Sequence, residues 1–174
     1  MTGLANLDAI TIAAIHGYCL GGGLQVAVAC DLLVASTDAV LSIPAVREGL
    51  VAALGPMRIT RLIGAGPAKY LCLLGRRFTA NEGLTMGLIH EVVTLDELEQ
   101  RAMALAEELL TMPFTALRHT KRQINRAFEQ NLTTLMEEMI EAEEDCLRSP
   151  EHIAVMTAYL EARALGKMRG EGEQ

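Results

Sequence analysis

The residues best placed to do chemistry lie in one short run, Ile15-His16-Gly17-Tyr18-Cys19-Leu20-Gly21-Gly22-Gly23-Leu24-Gln25. An apolar strand feeds a glycine turn, and the turn feeds a segment of good helix formers. Glycine has no Cβ, so the backbone of such a turn can approach a ligand closely. The N–H groups in the first turn of a helix lack an intrahelical acceptor and sit at its positive end. That combination suits a developing oxyanion, such as an enolate oxygen. The same glycines would also serve a purely structural tight turn, and spacing alone leaves both readings open. Two other ligand classes fit poorly. A P-loop requires Gly-Lys-Ser/Thr after the glycines, whereas Gly23-Leu24-Gln25 follows here. A dinucleotide fingerprint requires glycines at i, i+2 and i+5, and Val26 takes the third place.

The other reactive side chains are dispersed. Cys19, Cys30, Cys72 and Cys146 form no C-x-x-C pair and have no histidine at ligand spacing. They read as buried free thiols of a reducing cytoplasm rather than as a zinc site or a disulfide framework, so no metal is expected. His16, His90, His119 and His152 read as structural or surface residues. Arg118, Lys121, Arg122 and Arg126 read as a solvated helix face. Glu137, Glu138, Glu141, Glu143, Glu144 and Asp145 read as the wet side of a further helix.

The elements that must position these residues follow from the apolar pattern. Residues 10–15 are a short β-branched run and predict a buried strand. A short helix is expected from Leu24 to about Cys30. Leu32–Ala35 and Val40–Ile43 predict two more strands around the turn Ser36-Thr37-Asp38. Pro56 fits a first helical turn with Gly64 as its stop, and Pro67–Leu74 repeats the arrangement before Gly75. Thr79 with Glu82, and Thr94 with Glu97, have capping-box spacing. Gly87 closes the first of these helices, and Leu88–Val93 predicts a strand. The helix after Thr94 carries Leu98, Ala102, Leu105 and Leu109 on one face. Three more helices are expected: one from Pro113 with Leu117, Ile124 and Phe128, one with Leu132, Leu135, Met136, Met139 and Ile140, and one from about Pro150 to Arg163. No internal repeat stands out, and Gly170–Gln174 reads as a frayed end.

Composition sets the outer limits. The chain has 174 residues, 51% of them hydrophobic and 21% charged, which excludes intrinsic disorder. Its net charge of -7 has the wrong sign for a phosphate-backbone partner, and aromatics at 3% give few platforms for base stacking. No apolar run is long enough to span a bilayer, and no basic residue precedes an apolar stretch at the start as in a signal peptide. The expectation is a cytoplasmic protein that binds neither nucleic acid nor membrane.

Several runs together resemble the crotonase superfamily, the enoyl-CoA hydratase/isomerase family. They are Ala13-Ala14-Ile15-His16-Gly17-Tyr18-Cys19-Leu20-Gly21-Gly22-Gly23, Ala29-Cys30-Asp31, Ile43-Pro44, Gly49-Leu50, Arg61-Leu62-Ile63-Gly64, Gly75-Arg76-Arg77-Phe78-Thr79-Ala80, Gly87–Val93 and Ala158–Arg163. The resemblance covers nearly the whole chain. It implies an α/β fold, a partial β-β-α spiral over residues 1–93 followed by a helical oligomerisation region over 94–174. It implies an acyl-CoA thioester as substrate, with CoA entering as part of the substrate and no separate cofactor. By the match, the N–H of Gly22 is one of two donors to the thioester oxygen, with Gly21 beside it in the binding turn. Losing one such donor typically costs ~2.7–4 kcal/mol of barrier.

Three departures from the family pattern matter. The turns that carry the second donor have no counterpart in residues 2–8, so a longer chain, a second polypeptide or a neighbouring subunit is expected to supply them. The two carboxylates of the hydratases are replaced, one by Gln25 and the other by Ala45. Those acids position water and move protons, and neither replacement exchanges a proton near neutrality. A glutamine at the first position, together with Pro44-Ala45-Val46-Arg47-Glu48-Gly49, is similar to the dihydroxyphenylacetyl-CoA dioxygenase branch. Glu48 is the nearest carboxylate to the vacant second position, as a displaced base or as an ion-pair partner of Arg47. Near the adenine end of CoA the family offers an aromatic and a lysine. Tyr159 fills the first place, and Ala162 replaces the lysine with Arg163 adjacent.

Two functions follow. The first is an enzyme acting on an acyl-CoA thioester through an enolate, and not a standard hydratase. The second is a non-catalytic truncated paralogue or fragment that serves as an assembly or regulatory subunit. The resemblance also implies a homotrimer or a dimer of trimers.

Overall fold

In the computed structural model, which describes residues 2–127, 137, 140, 141 and 144–164, the chain opens with a short helix, α1 (Thr2–Ala5). The apolar run then forms β1 (Ile12–Ile15), and Gly17 turns the backbone at φ 55° into β2 (Tyr18–Leu20). The glycine turn opens α2 (Gly22–Ala27), and β3 (Leu32–Ser36) and β4 (Val40–Ser42) follow. β3 lies parallel to β1, with Ile12 opposite Leu32 and Ile15 opposite Ala35. β4 lies parallel to β2, with Tyr18 opposite Val40 and Leu20 opposite Ser42. Each strand–strand–helix turn therefore adds one strand to each of two sheets. β6 (Glu91–Val93) completes the order β1-β3-β6, and β5 (Phe78–Thr79), antiparallel to β4, completes β2-β4-β5. The expected α/β spiral is present.

Its helices are α3 (Gly55–Ile63), α4 (Ala65–Leu74), α5 (Ala80–Thr85) and α6 (Leu98–Leu110). The core between them is aliphatic, as the scarcity of aromatic residues requires. Leu24, Leu33, Val34, Leu41, Ile59, Leu88 and Ile89 are fully buried, each such side chain contributing about 1.5–3 kcal/mol over leaving it exposed. Asp31 pins the start of β3 to β1, because its Oδ2 accepts the Thr11 N–H and the Thr11 hydroxyl, both at 2.7 Å. The Thr79–Glu82 capping box forms reciprocally, with the Glu82 N–H donating to Thr79 Oγ1 at 3.2 Å and the Thr79 N–H to Glu82 Oε2 at 2.8 Å. At Thr94 the Glu97 carboxylate takes both the N–H and the hydroxyl.

Two compact units divide between Leu109 and Leu110. The first holds both sheets. The second holds α7 (Phe114–Arg126) and α8 (Pro150–Ala164). On α7 the expected faces are partly exchanged: Lys121 is buried, whereas Ile124 is 65% exposed. Arg118 and His119 both engage Asp145, at 3.0 and 2.5 Å, so this basic segment is internally partnered rather than a plain solvated face.

Other expectations need correcting. Strand β2 was hidden in the glycine run, because an exposed Tyr18 and a three-residue length give it no period of its own. The strand expected over Leu88–Val93 is confined to Glu91–Val93. At its entry the imidazole Nδ1 of His90 accepts the Leu33 N–H at 2.9 Å, and the His90 N–H donates to the Leu33 carbonyl. The side chain thus substitutes for a ladder acceptor. α4 begins at Ala65, ahead of Pro67, because a proline is tolerated in a first turn. Among the described residues the four cysteines form no disulfide, and they are partly rather than fully buried. Ile140 is exposed, and Leu132, Leu135, Met136, Met139, Phe128 and Gly170–Gln174 lie outside the described residues. Among the described residues no helix is long and apolar enough to cross a membrane.

Candidate functional site

The carboxyl ends of the paired strands β2 and β4 build the candidate site. Gly21 follows β2 and takes φ 53°, ψ -113°, a conformation open to glycine and strained for other residues. Its N–H donates to the Ser42 carbonyl at the end of β4, at 2.8 Å. That bond fixes the turn to the neighbouring strand. Its carbonyl accepts the Gln25 N–H at 3.1 Å, which starts α2. Gly22 is therefore the first helical residue. It is exposed, its N–H has no intrahelical acceptor, and a Cβ there would meet nothing within 4 Å. A backbone donor at the positive end of a helix thus faces open space.

Gln25 lies one turn further on and is only 8% exposed. Its Oε1 is buried without a hydrogen-bond partner among the described residues. An unsatisfied buried amide oxygen costs about 1–3 kcal/mol, so this atom marks a place where a water or a ligand group belongs. Walling it is Gly55, the first residue of α3. A Cβ on Gly55 would fall 3.0 Å from Gln25 Cγ, 3.3 Å from its Cδ and 2.9 Å from Ile43 Cδ1.

Past β4 the chain enters a 3₁₀ turn, Ala45–Glu48. Because β2 and β4 are paired, Ala45 follows its strand much as Gly22 follows β2. Ala45 packs against the core and offers no polar group. Glu48 is exposed at the far end of the turn, and Arg47 donates instead to the Leu74 carbonyl at 2.8 Å. Among the described residues Arg47 forms no ion pair with Glu48. Leu50 and Val51 are 63% and 85% exposed, and Ala53 takes φ 40° before the chain returns to Gly55. Burial pushes the Cys19 thiol upward, away from the reactive thiolate form.

Gly21, Gly22, Gln25 and Ala45 are thus gathered on adjacent strand ends. Tyr159 and Arg163 belong to α8 in the second unit, where Arg163 is exposed and the Tyr159 side chain lies outside the described residues. Sequence reasoning missed the Ser42 carbonyl and Gly55. No local signal marks either one, since Gly55 reads as an ordinary residue ahead of Pro56. A cavity of about 330 Å³ elsewhere is lined by Tyr70, Phe78, Thr79 and Glu82 among others. Its Arg76 lies 4.9 Å over the Tyr70 ring and 3.7 Å from the Glu82 carboxylate, so its charged groups pair with one another.

Residues 1–166 match the family model described as enoyl-CoA hydratase/isomerase. The chain is 32% identical over 163 residues to the short-chain-enoyl-CoA hydratase of Clostridium acetobutylicum, covering 93% of this chain and 62% of that protein. It is 39% identical over 141 residues to the human mitochondrial enoyl-CoA hydratase domain-containing protein 2, covering 78% of this chain and 48% of the relative. Among solved structures, a Geobacillus kaustophilus enoyl-CoA hydratase subunit superposes with a TM-score of 0.87 at 33% identity, over 98% of this chain and 65% of that one. A Thermobifida fusca protein crystallised in complex with acetoacetyl-CoA superposes at 0.77 and 33% identity, over 83% and 57%. The chain thus spans about half to two thirds of the length of these relatives.

Proposed function

We propose a function from one established premise: the chain belongs to the enoyl-CoA hydratase/isomerase family. It acts on an acyl-CoA thioester by stabilising the enolate that forms when a proton leaves the carbon beside the thioester carbonyl. The observation that carries this reading is the Gly21 turn. Its tie to the Ser42 carbonyl leaves the Gly22 N–H first in α2, exposed and without an intrahelical acceptor. A preorganised donor of this kind is stronger toward the charged oxygen than toward the neutral carbonyl, which is the differential binding that catalysis needs.

The reaction is not the two-carboxylate addition of water. Gln25 and Ala45 stand where that chemistry needs acids, and neither exchanges a proton near neutrality. The Gln25 amide instead offers a neutral donor and acceptor to a substrate oxygen or a water. Glu48 is the carboxylate nearest in sequence to the vacant position. Self-association belongs to the same proposal, and it is supported by the exposed Leu110, Ile153 and Leu160 of the helical unit. A clean monomer in sedimentation would contradict it.

The test uses acetoacetyl-CoA, whose enolate has its own near-ultraviolet band. Calorimetry on the chain, with the segment that carries the second donor supplied, should show binding, and the band should grow as the ligand binds. Gly22→Pro removes the N–H at a helix position where proline is tolerated. It should leave the fold intact and lower enolate stabilisation about 10²–10³-fold. Absence of binding, or an undiminished band in the variant, would overturn the reading. Binding with no enolate band in the parent protein would favour the non-catalytic assembly subunit.

A further inference from the structure

Gly55 occupies the first position of α3, is buried, and has no positive φ to explain its identity. Alanine is the better helix former by about 0.8–1 kcal/mol in a helix interior, so neither the backbone conformation nor helix propensity calls for glycine here. Space does. The Cβ of any other residue would enter the volume crossed by the Gln25 side chain, 3.0 Å from its Cγ and 3.3 Å from its Cδ, and would press on Ile43 Cδ1 at 2.9 Å. Gln25 has no hydrogen bond on Oε1 to hold its amide in place. Packing must orient it, and Gly55 and Ile43 supply the wall.

The wall is itself anchored. The excursion from Pro44 to Leu54 is closed at its base by the Leu50 N–H donating to the Ala45 carbonyl at 2.9 Å, and the Gly55 N–H donates to the Ala52 carbonyl at 2.8 Å. Ala52 is buried, so the place of Gly55 is fixed from the core side. The Gln25 backbone is fixed separately, through its bond to the Gly21 carbonyl. The segment that returns from β4 therefore sets the direction of a side chain mounted on the oxyanion helix.

We infer that Gly55 is a positioning residue: its missing side chain seats the Gln25 amide toward the bound thioester. This rests on the reading of Gln25 as a substrate-facing group. Gly83 provides a matched steric control, because a Cβ there would meet Ile89 Cγ1 at 2.8 Å and Phe78 rather than Gln25.

Gly55→Ala and Gly83→Ala should both lower the melting midpoint. Only Gly55→Ala should shift the side-chain amide resonance of Gln25, alter the bound enolate band of acetoacetyl-CoA and weaken its binding about tenfold, the loss of one hydrogen bond. In a Gln25→Ala background, which removes Cγ and Cδ, Gly55→Ala should have no further effect on ligand. Where Gly55→Ala alone fails to fold, adding Ile43→Val removes the Cδ1 clash and leaves the Gln25 contact to be read. An unmoved Gln25 resonance, or an equal effect of Gly55→Ala with and without Gln25, would overturn the inference. A parent protein that gives no enolate band refutes the thioester reading, and the Gln25 resonance still decides whether Gly55 seats the amide.

Discussion

Replacing Gln25 by glutamate tests the site through its electrostatics. The side chain is 8% exposed, its Oε1 has no partner, and its known neighbours at Gly55 and Ile43 are apolar. At neutral pH the substitution puts a carboxylate where only a water could solvate it. Leaving a buried polar group unsatisfied costs about 1–3 kcal/mol, more for a charge. The adjacent start of α3 returns about 0.3–1 kcal/mol through its dipole. The net expectation is a loss of about 1–2 kcal/mol, or a melting point lowered by about 2–8 °C for a chain of this size. The sign with pH follows from linkage. Burial raises the carboxyl pKa of the folded variant above the ordinary ~4.3 of glutamate. The penalty is then absent below about pH 4, grows as pH rises toward the folded value, and is constant above it. Melting curves of Gln25→Glu and the parent across that range are the assay. A midpoint difference that is the same in acid and at neutrality would refute the reasoning, as would a variant more stable at neutral pH. Crotonyl-CoA hydration should rise weakly at most, because Ala45 still offers no second acid.

Ala53 is a non-glycine residue at φ 40°. Ala53→Gly relieves about 1–2 kcal/mol of backbone strain and returns about 0.4–1 kcal/mol as unfolded-state entropy, so the urea midpoint should rise modestly; a lower midpoint would show that the loop is not strained there. Glu91 receives the Arg101 guanidinium through two bonds, at 2.5 and 2.6 Å, and this partner holds its carboxyl below the usual range. Its stabilisation is present above the unfolded glutamate value near ~4.3 and is lost as pH falls through the folded one. Glu91→Gln should therefore melt below the parent at neutral pH and converge with it in acid, and a gap that persists in acid would contradict the assignment.

The sequence by itself determined what depends on near neighbours in the chain. The glycine turn before α2, the Thr79–Glu82 capping box and the helix stops at Gly64 and Gly75 are local, because each is a conformational or hydrogen-bonding preference acting over a few residues. The aliphatic strands β1 and β3 were legible from their apolar runs, and Gln25 and Ala45 could be singled out by their types and places in the chain. What only the tertiary structure decided depends on groups distant in sequence. β2 is a strand because β4 lies beside it, and Gly21 is held by the carbonyl of Ser42. His90 serves as an acceptor because Leu33 faces it. Lys121 is buried although its type and spacing predict a wet face. Gly55 looks like spare backbone until Gln25 is seen across it. Burial and steric fit are properties of the pair and of the space between its members, and a one-dimensional pattern carries no measure of that space.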